Sequence, residues 1–162
     1  MRAGTRDHQK SKVYAAESQL QWLRDNGCDT VELHGVTFQL EPEARFGDLD
    51  SIARYVDRVL AMPQLAARFG RQEPIRVRHR KGHKLAHYEH GTRTIAIHTD
   101  GDRFAMRELV VLHEIAHSLA PGRGHGPHFT ATLLELVDMV IGPQTALALR
   151  MLYAEAGVAM GA

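Results

Sequence analysis

The sequence predicts an α+β domain, and three observations carry that prediction. Stretches that alternate apolar and polar residues lie at 30–40 and 75–80, and a further pair of strand stretches reads at 83–89 and 93–98. Three stretches with helical spacing follow one another at 103–120, 127–141 and 143–156. No internal repeat and no linker divides the chain, so strands and helices belong to one domain spanning residues 1–162.

Each element has a local reason. Residues 8–25 read as a helix because Val13, Leu20 and Leu23 recur at helical spacing, with Tyr14 and Trp22 beside them; Asn26-Gly27 ends it. TVELHGVTFQL at 30–40 reads as one strand or a tight hairpin about Gly35. Asp48 or Asp50 caps a helix running to Leu60, with Ile52, Val56, Val59 and Leu60 as its buried stripe; Pro63 stands at or just past its end. IRVRHR at 75–80 is a strand. The stretches 83–89 and 93–98 form a hairpin turning at His90-Gly91. Gly122, Gly124, Gly126 and Pro127 mark the loop between the first two of the later helices. Pro143 suits the first turn of the last.

Composition narrows the function classes. With 162 residues, 44% hydrophobic and 24% charged, the chain is long enough for an ordinary core and too balanced for disorder. Its net charge of +1 speaks against a strongly basic nucleic-acid binder and leaves room only for a local patch. The single cysteine, Cys28, excludes an intramolecular disulfide and a Cys-rich zinc knuckle. No apolar run approaches the roughly 18 residues of a membrane span. The N-terminal stretch MRAGTRDHQKSK has no apolar region behind it, so no secretory signal is read and a cytoplasmic location without membrane contact is expected.

Nine of the eleven histidines fall between 79 and 128, which directs attention to the second half of the chain. His113-Glu114-Ile115-Ala116-His117 is an HExxH motif. A spacing of four stacks both imidazoles on one helical face, where each can give a nitrogen to one ion. Glu114 lies about 100° round the helix from His113, placed to act as a base rather than a ligand. Leu109, Leu112, Ile115, Ala116 and Leu119 share one broad face, and Val110 and Val111 widen it. A helix this apolar is buried, and its polar side chains then need partners that a metal supplies.

A hydrolytic zinc site takes a third protein ligand and keeps one position open. The candidates are His125, His128 and Glu135. His125 follows His117 after a seven-residue loop whose glycines allow sharp reversal. His128 starts the next helix, and Glu135 lies farther along it, both away from its apolar side.

HEIAH followed by GHGPHF resembles the SprT-like branch of zincin metallopeptidases over residues 107–129. The chain is also similar, over most of its length, to a family of small metallohydrolases of actinobacteria and their phages. KVYAAE at 12–17, TVELHG at 30–35, HYE at 87–89, RELVVLHEIAH at 107–117 and LYAEAGV at 152–158 carry that similarity. The resemblance implies a zincin-like fold, a small and mainly antiparallel sheet against a central HExxH helix. It implies His113, His117 and His125 as ligands of one zinc ion per chain and Glu114 as general base. The seven residues before His125 make a short gap for a SprT-like protease. The metzincin pattern fails, since Ala120 and Arg123 stand where its glycine and third histidine belong.

Such a site activates water toward a scissile carbonyl, with Glu114 taking the proton and passing it to the leaving group. His128, Tyr88 and Tyr153 are candidate donors to the developing oxyanion. By resemblance, the strand from Thr94 to His98 pairs with an extended peptide by β-augmentation. Arg76, Arg78 and Arg80 share one strand face and form a candidate phosphate track, although charges guarding a sheet edge explain them better. His83, His87 and His90 read as surface histidines. The leading expectation is a zinc metallopeptidase acting on peptide or protein. A SprT-like DNA-associated protease and a non-catalytic zinc-containing binding or regulatory domain are the alternatives.

Overall fold

The computed structural model describes residues 6–82, 86–99, 105–120, 122 and 124–161. The expected start of the third strand stretch, with His83, and the first residues of the helix expected at 103–120 lie outside them, as does Arg123. Among the described residues the chain is α+β, with six helices and five short strands. They cluster into two compact units, one of Met1–Pro42 with Ala120–Ala162 and one of Glu43–Leu119.

The first unit holds α1 (Lys10–Gly27), β1 (Thr30–Leu33), β2 (Val36–Gln39), α5 (Pro127–Val140) and α6 (Pro143–Glu155). Helix α1 buries Val13, Ala16 and Leu20 and packs on α6, which also packs on α5. It stops where Cys28 and Asp29 turn left-handed, at φ 50° and 67°. Strands β1 and β2 are an antiparallel hairpin in which Leu33 faces Val36. Its two-residue turn, His34-Gly35, has φ of 49° and 75°, the positive pair that a right-twisted hairpin favours. Glu41 caps α6, accepting from the backbone N–H of Gln144 at 3.0 Å and of Thr145 at 2.8 Å.

The second unit holds α2 (Leu49–Leu60), α3 (Pro63–Phe69), β3 (Arg76–His79), β4 (Ala86–Glu89), β5 (Thr94–Ile97) and α4 (Glu108–Leu119). Asp48 caps α2, its carboxylate accepting from Ser51 N–H at 2.7 Å. Ile52, Tyr55, Val56 and Val59 form the buried stripe of α2. Pro63 does not merely end that helix; it opens α3, where a residue without an N–H costs nothing.

The sheet of this unit refines one expectation and corrects another. Its strand order is β3-β5-β4, with β3 parallel to β5 and β4 antiparallel to it. It is therefore mixed, while the purely antiparallel pairing belongs to the separate β1–β2 hairpin. Strand β5 is central, and both its hydrogen-bonding edges are occupied. Thr94 to His98 therefore cannot take an added peptide strand, because the N–H and C=O groups that would bind it already serve β3 and β4. Strand β4 is an edge of this sheet and packs against α4. No helix among the described residues is long and apolar enough to cross a membrane.

Candidate metal centre

Helix α4 is anchored at its start by buried charge. Glu43 accepts from Arg107 Nε at 2.9 Å and from the Leu109 backbone N–H at 3.1 Å. The side chains of Glu43 and Arg107 are each only 2% exposed. Glu108 completes the anchor, accepting from Ala44 N–H at 2.9 Å and from the Tyr55 hydroxyl at 2.6 Å. Burial, then the charge of Glu108, pushes the ionisation of that phenol far up, so Tyr55 remains a donor. Carboxylates at a helix N-terminus also meet its unsatisfied N–H groups and its dipole.

With its start fixed, α4 presents its polar residues at defined positions. His113 and Glu114 are buried and His117 is half-buried. The rings of His113 and His117 lie 5.1 Å apart, edge to face, as one helical turn of separation dictates. Tyr88, buried on β4, meets His90 edge-on at 4.9 Å, and the His90 ring lies 6.4 Å from that of His117. Burial raises the Tyr88 phenol above its usual range. His90 is exposed, as the surface reading expects, yet its ring stands beside a motif histidine.

His125 is held within its own unit. The loop before α5 turns at Gly122 and Gly124, both with positive φ, of 95° and 103°. His125 itself is buried. Its Nδ1 bonds Asp7 Oδ2 at 2.7 Å, and its backbone N–H donates to Asp7 Oδ1 at 3.2 Å. Its carbonyl accepts from Gln9 Nε2 at 2.8 Å. Tyr14 and Phe129 flank the ring, with centroids at 5.2 and 4.9 Å. Burial raises the Asp7 carboxyl, but the side-chain and backbone hydrogen bonds from His125 outweigh it and hold the group below the ordinary range.

One ring nitrogen from each of His113, His117 and His125 lies within 4.8 Å of the others, close enough to bind a metal ion. Three imidazoles suit zinc, which takes nitrogen donors and commonly binds three protein ligands with a fourth position left open. Among the described residues this is the grouping of possible ligands, and neither His128, exposed on α5, nor Glu135, half-buried there, belongs to it.

The remaining sequence candidates are placed as follows. Tyr153 is fully enclosed on α6, where burial and then the charge of Glu17 raise its phenol well above the usual range. Arg76 and Arg78 are exposed on β3, an edge strand, and Arg80 is half-buried just beyond it. Arg78 pairs with Glu89 across the sheet. His87 is exposed on β4. Two neighbours of the histidines, Asp7 and His90, escape sequence reasoning as site residues. Asp7 is 118 positions from His125 and has no local signal. His90 reads as an ordinary turn residue.

The chain matches no protein-family model, no curated protein and no solved structure.

Proposed function

We propose that the chain is a zinc-dependent hydrolase that cleaves peptide bonds. The observation that carries this reading is the convergence of one nitrogen each from His113, His117 and His125, with Glu114 next to His113 on the same buried helix. When bound, zinc supplies a Lewis acid that brings the pKa of a coordinated water to about 7. His113, His117 and His125 would hold the ion. Glu114 accepts the proton of the attacking water and delivers it to the leaving amine. A purely structural zinc site has no use for that carboxylate, which favours the catalytic reading over a binding module.

Tyr88 and His90 are the donors placed to steady a developing oxyanion. Tyr88 is protonated at neutral pH, and the ring of His90 meets it at 4.9 Å and lies 6.4 Å from that of His117. The substrate is an extended peptide laid along β4, the edge strand that packs on α4. Main-chain pairing there would hold many sequences alike. A role on DNA is less well supported, because Arg78 already pairs with Glu89.

The test joins metal analysis with hydrolysis. Protein purified without chelator should carry close to one zinc per chain and cleave an unstructured protein such as casein. A chelator should stop cleavage, and added zinc should restore it. Protein that takes up no zinc after addition would sink the reading. Zinc-loaded protein inert toward peptides of every length, with and without DNA, would leave only the binding-module alternative.

A further inference from the structure

We infer that Asp7 is the positioning residue for His125, fixing which ring nitrogen faces the metal. The inference rests on the zinc reading above and goes beyond it by assigning a role to the N-terminal segment.

The geometry is specific. An ionised carboxylate only accepts hydrogen bonds, so the short contact from Asp7 Oδ2 to Nδ1, at 2.7 Å, places a proton on Nδ1. The other ring nitrogen, Nε2, then carries the lone pair and is the ligand atom. Asp7 grips the same residue twice, since Oδ1 also accepts the His125 backbone N–H at 3.2 Å. Two bonds from one carboxylate to one residue fix both the backbone and the ring plane. A histidine whose far nitrogen is bound by a carboxylate is also a more basic ligand.

The surroundings are shaped for this pair. A side chain at Gly124 would bring its Cβ to 3.3 Å from the Asp7 carboxyl, and φ there is +103°, so a glycine leaves the approach open. Gln9, two residues on, holds the His125 carbonyl and both backbone groups of Ala159, with bonds of 2.8, 3.2 and 2.6 Å. Tyr14, on the first turns of α1, covers one side of the ring. The segment from Asp7 to Tyr14 therefore immobilises a histidine more than a hundred residues away.

Zinc affinity measured by chelator competition tests this on the full chain, for wild type, Asp7→Ala and Asp7→Asn. Two further readouts accompany it: the visible spectrum of the cobalt-loaded protein and the melting temperature of the metal-free protein. Asp7→Ala should bind zinc about 10–100-fold more weakly, the range for lost outer partners of metal ligands. Its cobalt bands should shift. Asp7→Asn is nearly isosteric and retains an oxygen for Nδ1–H, so it should fold and fall between the other two. Equal zinc affinity in all three proteins would overturn the role of Asp7 while leaving the zinc site standing. A weaker affinity that merely follows a lower metal-free melting temperature, with cobalt bands unchanged, would overturn it as well. A wild type that takes up no zinc or cobalt removes the site itself, and the role with it.

Discussion

Helices α2 and α4 are each twelve residues long and belong to the same unit, yet they use burial in opposite ways. Helix α2 hides one stripe, Ile52, Tyr55, Val56 and Val59, and leaves Asp50, Arg54, Asp57 and Arg58 in water. Helix α4 buries nearly every side chain from Glu108 to Ala116, including His113 and Glu114. In α2 the polar residues sit where solvation is free. In α4 they sit where every one must be matched by a specific group, so their presence needs a reason beyond folding. Chemistry is that reason in the reading proposed here.

Substitutions on the two helices should therefore separate stability from function. The largest effect belongs to Glu114→Gln. It should lower peptide hydrolysis by about 10²–10⁴-fold, because an amide cannot take the proton. Zinc content and melting temperature should stay close to wild type. Full activity in this variant would mean that α4 carries its carboxylate for structure alone, and the contrast with α2 would collapse.

Next is Ile52→Ala, at a fully buried position of α2. Removing that side chain should cost about 2–5 kcal/mol in a denaturant titration. Zinc affinity measured on folded protein should not change. A matching loss of zinc would show that α2 is not merely scaffold.

The smallest effect expected is that of Asp48→Ala. Its carboxylate accepts from both the backbone and the hydroxyl of Ser51 at 2.7 Å, and losing that cap should cost about 1 kcal/mol. The corresponding anchor of α4 is the buried Glu43–Arg107 pair, which is a different construction. A cap on α2 that mattered as much as a broken buried ion pair would blur the distinction between the helices.

The same contrast explains what could be read from the sequence. Helix α2 was legible in its span and in Ile52, Val56 and Val59, because amphipathic periodicity is a local signal; its cap is Asp48 rather than Asp50, Tyr55 joins the stripe, and Leu60 is only half-buried. The hairpin of β4 and β5 was legible from turn chemistry, while at Gly35 a single strand and a hairpin were both open and the structure has the hairpin. Helix α3 was not, since the seven residues PQLAARF are too few to show a period and Pro63 reads equally as a stop or a start. Strand β5 was expected to offer a free edge, but strand order is decided by pairing with β3, whose parallel direction leaves no mark in either segment. At the site, His113, Glu114 and His117 announced themselves by spacing. His125 rested on its glycine loop and on resemblance, and its membership of the cluster came from the coordinates. Asp7 was invisible, since nothing near residue 7 indicates a partner at 125.

The division of the chain has a consequence for synthesis. The unit Glu43–Leu119 is continuous in sequence, whereas the other is assembled from the beginning and the end of the chain. On a ribosome, the segment bearing His113 and His117 is therefore finished before the partner of Asp7 has been translated. At roughly 5–20 residues per second, Asp7 waits about 6–24 s for its histidine, 118 positions later. Only for the last eight residues of that interval does the nascent protein carry both His113 and His117 while Asp7 still lacks His125. The order of translation thus delays the proposed ligand set until His125 has been made, after the whole of Glu43–Leu119.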